Sequence, residues 1–132
     1  MTMRPFGRNA QQLLVALQSY DAEIDELIQA IPQHEVPISS DQGRRLVDAA
    51  TKLKADVKHD YETSQKYGRE GKFSPVERAF WAMFPHKLFV ALQKLKLNTR
   101  PGHRWLRALH DAQHEVRYAL SGIQEWIDAG KD

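Results

Sequence analysis

From Ala10 onward the apolar residues fall at Ala10, Leu13, Leu17, Tyr20, Ile24, Leu27 and Ile31, separated by three and four residues in alternation. At about 3.6 residues per turn this spacing holds one apolar stripe on a helix for roughly six turns, and such a stripe must be covered by other helices. Pro32 ends the pattern, because proline lacks the ladder N–H and disfavours helical geometry at Ile31. Pro32 to Pro37 reads as a loop.

The same logic locates the remaining helices. A second begins near Ser39 or Ser40, with Ser39 and Gln42 spaced as a capping box. Its stripe is Leu46, Ala50, Leu53, Val57, Tyr61 and Ser64, fading toward Tyr67, with Gly68 and Gly71 marking the exit. Ser74-Pro75-Val76-Glu77 combines an N-cap serine, a proline at the first helical position and a glutamate three residues after the cap. The helix it opens carries Ala79, Phe80, Trp81, Ala82, Met83 and Phe84, apolar on every side, so it is expected at the centre of the fold or at a subunit contact. Pro85 is expected to kink or break it. Leu88, Phe89, Ala91, Leu92 and Leu95 resume the pattern, and Asn98 to Pro101 is a turn. The last helix runs from near Pro101 to about Ala129 with Trp105, Leu106, Leu109, Val116, Leu120, Ile123 and Ile127 as its stripe. Trp105, Ala112, Ala119 and Trp126 recur along a flanking line.

No run alternates apolar and polar residues as a strand would. The expected fold is all-α: one domain spanning residues 1–132, a mainly antiparallel bundle of four to five helices with the third kinked or broken at Pro85 and residues 1–8 as a flexible N-terminus. The chain has 132 residues, enough for one core, and 42% hydrophobic with 27% charged residues is ordinary globular usage. It contains no cysteine, which excludes disulfides, a thiolate nucleophile and cysteine-ligated metal. No secretory or membrane-spanning segment is read, so a soluble, cytoplasmic protein without membrane association is expected.

The net charge of +2 hides a segregation. Asp21, Glu23, Asp25, Glu26, Glu35 and Asp41 follow Asn9 with no Lys or Arg among them. Arg78, Lys87, Lys94, Lys96, Arg100, Arg104 and Arg107 precede His110 with no acid. These charges either pair with each other across helices, or serve an acidic partner or a second copy of the chain, or contact nucleic acid. Arg100, His103, Arg104 and Arg107 gather at a helix N-terminus, where N–H groups and the dipole favour an anion. Trp105 beside them is a candidate stacking ring as well as a candidate core residue.

Chemical motifs are few. His110 and His114 are four residues apart on a helix, a spacing that lets two imidazoles grip one metal ion, and Asp111 to His114 and Asp56 to His59 repeat an Asp-x-x-His spacing. These histidines are expected beside the apolar seams or in water rather than inside. Arg104 to His110 leaves five residues between the two, and Arg107 to His114 leaves six. This resembles the Arg-x4–6-His signature of HEPN-type ribonucleases, helical bundles that dimerise to build a composite site. The resemblance implies histidine for proton transfer at a ribose 2′-hydroxyl and arginine for the phosphorane charge. The residue after the arginine, usually polar in that family, is Trp105 or Ala108 here. Phosphate-binding glycine loops, nucleophile elbows and His-Glu-x-x-His are absent.

The reading reached from sequence is a non-enzymatic interaction or regulatory bundle needing no cofactor. It binds a protein partner or itself through Phe80, Trp81 and Phe84 and the adjoining Lys94, Lys96, Arg100, Arg104 and Arg107. Nucleic-acid binding or HEPN-like cleavage through Arg104, Arg107, His110 and His114 is the alternative, followed by metal binding at His110 and His114.

Overall fold

The computed structural model of the chain describes residues 7–131. It contains α1 (Ala10–Ala30), α2 (Asp41–Arg69), α3 (Pro75–Phe80), α4 (Phe84–Leu92) and α5 (His103–Asp128), with no strand among the described residues. α3 and α4 are two arms of one rod bent at 81–83, so the bundle has four rods. α1 packs on α2 and α5, and α4 packs on the same two helices, closing a ring.

Neighbours run antiparallel. Asp21 and Asp25 of α1 meet Arg117 and Gln113 of α5 in reverse order. Tyr61 and Ser64 of α2 meet Phe89 and Trp81, while Lys94 after α4 meets Asp111 of α5. The topology is therefore up-down-up-down, as short connections favour. All seven stripe residues of α1, from Ala10 to Ile31, are buried, together with Leu46, Ala50, Leu53 and Val57 of α2. On α5 the buried centre includes the line Trp105, Ala112 and Ala119, whereas Leu106, Leu120 and Ile127 sit half-buried at its edges. The expected flank lies inside because α5 is gripped by α1 on one side and α4 on the other.

Local chemistry sets the helix ends. Asn9 caps α1 and forms a capping box with Gln12, and α1 stops at Ile31, just before Pro32. The cap of α2 is Ser40, not Ser39: its hydroxyl accepts from Gly43 N–H at 3.0 Å and donates to the Pro37 carbonyl at 2.7 Å. The loop folds so tightly over this turn that a Cβ at Gly43 would stand 2.0 Å from the Pro37 oxygen, so the register that puts glycine third is the one adopted. The Ser74–Glu77 box caps α3 as expected.

The break in the third rod precedes Pro85, which sits buried in the first turn of α4. Proline offers no N–H to the Trp81 carbonyl four residues back, and its ring crowds that oxygen. The Trp81 carbonyl instead accepts the Phe84 N–H at 3.1 Å, and the chain turns there.

The expected flexibility of residues 1–8 falls mostly on residues 1–6, outside the described residues. Gly7 and Arg8 are described. Arg8 is buried, its Nε 2.9 Å from Glu77 Oε2 and its guanidinium 4.4 Å from the Trp81 ring centroid. Glu77 Oε1 accepts the Gly7 and Ser74 N–H groups, and the Ser74 hydroxyl donates to the Arg8 carbonyl at 2.6 Å. A buried ion pair, backbone hydrogen bonds and the guanidinium over Trp81 hold this strap against α3.

Candidate functional site

Two of the three aromatic residues expected at a docking surface are core residues. Trp81 and Phe84 are buried, the indole N–H donating to Ser64 Oγ at 2.7 Å and the two rings packed 5.5 Å apart. Phe80 is half-buried, edge-on to Trp126 with centroids 5.8 Å apart, and close enough to Gly122 that a Cβ there would lie 2.4 Å from its ring. The bend at 81–83 is the reason: it points the successive apolar residues of an all-round helix at different neighbours. In this structure the chain itself covers both rings. Trp105 is likewise no stacking ring. It is fully buried, and its N–H donates to Thr99 Oγ1 at 3.0 Å.

The basic segment has the opposite fate. Lys94, Lys96, Arg100, Arg104 and Arg107 are all exposed. Lys94 lies 3.6 Å from Asp111, and the other four form no ion pair with any described residue. The acids of α1 are engaged elsewhere. Asp21 and Asp25 stand 3.0 and 3.8 Å from Arg117, Asp25 also accepts from Gln113, and Glu23 lies 3.6 Å from Lys52. The two halves of the charge map do meet across α1 and α5, but through Arg117 rather than through the basic segment. Such exposed pairs each contribute at most about 1 kcal/mol.

The N-terminus of α5 is not an open anion seat. Gly102, its cap, lies beneath Glu35, whose Cα would be 3.1 Å from a Cβ there, and Val36 N–H binds the Pro101 carbonyl at 2.9 Å. A carboxylate-bearing loop already covers that end.

His110 and His114 are exposed on the outer side of α5. Among the described residues no three His, Asp or Glu side chains gather as metal ligands. Arg104 and His110, six positions apart, point about 120° away from each other, whereas Arg107 and His114, seven apart, share a face roughly 10 Å apart along the axis. Within one chain neither pair converges on a single phosphate.

A groove of about 440 Å³ runs between α4 and α5, lined by His86, Lys87, Val90, Ala91, Lys94, Asp111, His114 and Glu115. Sequence reasoning missed it, since it depends on which stripes of two helices become neighbours. A second groove of about 580 Å³ opens between α1 and α2, floored by Leu27, Ala30, Leu46 and Ala49 and rimmed by Glu23, Glu26, Arg45 and Lys52.

Two partly buried polar contacts tie α2 to its neighbours. The Tyr20 hydroxyl donates to the Asp60 carboxylate. Burial pushes the Asp60 carboxyl up from its ordinary value, against the pull of that hydrogen bond, and burial and the Asp60 charge raise the Tyr20 phenol in turn. Lys54 Nζ donates to the Leu95 carbonyl at 2.8 Å, and partial burial with the nearby Lys96 charge lowers its pKa.

No described helix is long and apolar enough to cross a membrane. Compared with family models, curated proteins and solved structures, the chain matches none of them, so its functional reading rests on its own surface.

Proposed function

We propose that this bundle is a non-enzymatic interaction module that docks an acidic protein partner through the basic surface formed by the 94–100 turn and the first turns of α5. The observation that carries this reading is the state of Lys96, Arg100, Arg104 and Arg107: exposed, close in sequence and unpaired with any described residue, while Asp21, Glu23 and Asp25 of α1 are engaged by Arg117 and Lys52. Unpaired like charges on one surface raise the encounter rate with an opposite charge and make association salt-sensitive.

Pull-downs and sedimentation at several salt concentrations test it. The expected result is association that weakens as salt rises and is lost when Arg100, Arg104 and Arg107 are changed together to glutamate. A strict monomer with no salt-sensitive partner overturns it. A second reading, nucleic-acid contact, draws support from the same cations and from Arg107 and His114 sharing the outer face of α5. Gel shifts at low salt decide between them, because phosphate contacts release counterions and lose affinity steeply with salt. Val90, exposed in the adjoining groove, is an apolar contact that a phosphate backbone would leave uncovered, and it favours the protein reading.

A further inference from the structure

Four large hydrophobic side chains are exposed among the described residues: Val15, Met83, Val90 and Tyr118. Three of them belong to α4, its cap or α5, and they follow the groove between those helices. On α4, Met83, Lys87, Val90 and Lys94 recur by fours and threes, forming one outward stripe. On α5, Arg107, Asp111, His114 and Tyr118 recur in the same way. The antiparallel register, fixed by Lys94 beside Asp111 and Phe80 beside Trp126, sets Tyr118 near the level of Lys87 and Met83 beyond it. Val90, 47% exposed, and Ala91 line the middle, and Arg104 and Arg107 continue the α5 wall past Asp111. From Met83 to Lys94 the stripe is roughly 16 Å long, about three helical turns.

We infer that this groove receives an amphipathic helix from an acidic protein partner. The inference rests on the protein-partner reading above and names its contact surface. Two stripes at helical spacing with apolar residues between cations complement a third helix packed alongside, its apolar residues at three-four spacing against Val90, Ala91, Met83 and Tyr118. Its acidic flank meets Lys87, Arg104 and Arg107, which have no carboxylate partner among the described residues. A second copy of this chain is a poor occupant, because Asp21, Glu23 and Asp25 of its acidic helix already stand beside Arg117 and Lys52, which leaves it Glu26 alone to offer from that helix. A nucleic-acid backbone would leave the apolar line uncovered.

The test is a phage-displayed library of peptides about 18 residues long, five helical turns, selected on the full chain with its Val90→Glu variant as counter-target. Selected peptides are expected to carry Leu, Ile or Phe at three-four spacing flanked by Asp and Glu. Each should lose about tenfold or more in affinity on Val90→Glu and on Lys87→Glu, as for a central and a charged contact. Val15→Glu, on the far side of the bundle, should leave affinity unchanged, and circular dichroism should show all three variants folded as the parent.

Selection of no peptide that discriminates against Val90→Glu overturns the inference, as does a selected motif rich in Lys and Arg. If Val90→Glu leaves a salt-sensitive partner bound while reversal of Arg100, Arg104 and Arg107 releases it, the groove fails and the interaction reading stands. If no association responds to salt or to those arginines, the reading itself fails.

Discussion

Glu77 is the residue whose removal the fold should tolerate least among its charged groups. It is fully buried, and its carboxylate answers Arg8 Nε at 2.9 Å as well as the N–H groups of Gly7 and Ser74. Glu77→Ala removes all three hydrogen bonds at once. A buried guanidinium left without its partner costs about 3–5 kcal/mol, and loss of the capping box adds about 1 kcal/mol. Relief is available because Arg8 lies ahead of α1 rather than inside a helix, so it can leave the surface and carry its charge into water. Detachment limits the loss to about 3 kcal/mol: the strap's contacts with Trp81 and Ser74 plus the cap. With a urea m-value of about 1.5 kcal/mol/M, the midpoint should fall by about 2 M.

The reverse substitution discriminates. Arg8→Ala leaves Glu77 in place inside α3, where it cannot escape, so it should cost at least as much. The double variant should cost clearly less than the sum, with a coupling energy of about 2 kcal/mol. A Glu77→Ala loss below about 1 kcal/mol at unchanged m, or a cycle without coupling, refutes the claim that the strap is held by this buried pair.

Three further outcomes follow from the same core. Ser64→Ala should destabilise by about 1–3 kcal/mol, because the buried Trp81 N–H loses the acceptor now 2.7 Å away; an unchanged urea midpoint would show that the indole finds another. Gly122→Ala gains about 1 kcal/mol in helix propensity but drives a Cβ to 2.4 Å from the Phe80 ring, so a net loss is expected. Phe80→Leu in the same chain should recover part of that loss in thermal melts, and a stabilised Gly122→Ala single variant would contradict the close approach. For Asp60, burial raises the folded-state pKa above the unfolded value, so the native state binds the extra proton. Its contribution is therefore fully present below the ordinary aspartate value and lost as pH rises through the raised one. The stability of the parent relative to Asp60→Asn should improve as pH falls through that window, and a difference independent of pH would refute the burial argument.

The stripes were legible because a helix shows its buried side through spacing alone. Ala10 to Ile31 needed no tertiary information, and the Ser74–Glu77 box was visible as four adjacent residues. The Asn9–Gln12 box was visible in the same way, yet it stands where the apolar pattern has only begun, and the pattern alone did not mark it. What spacing cannot convey is which helix lies beside which. Glu77 reads as a cap residue, and nothing nearby in sequence shows that Arg8, far upstream, will fold down onto it. Trp81 and Phe84 read as surface candidates because a straight helix would spread them around its circumference. The bend before Pro85 turns both inward. The α4–α5 groove was hidden for the same reason, since each wall reads alone as an ordinary solvated face.

The register of α1 against α5 accounts for the free basic surface. Asp21 lies by Arg117 and Asp25 by Gln113, so each step along α1 moves one step back along α5. Continued, that register sets Arg107 level with Ile31, past the last acid of α1, at a turn made of Leu27, Ile28, Gln29 and Ala30. Arg104 falls beyond the end of α1 altogether. On the other side, the nearest acid is Asp111, which Lys94 already approaches at 3.6 Å. Pairing was thus open to Arg117 and closed to Arg104 and Arg107 by where two helices end. Self-repulsion among such cations slightly weakens the compact state. An acidic helix laid along α5 would relieve it, whereas sliding α5 by nearly two turns to bring Arg107 to Asp25 would expose Trp105 and Leu109, both fully buried, at about 2–3 kcal/mol each. The hydrophobic seam sets the register, and the unpaired cations are its consequence.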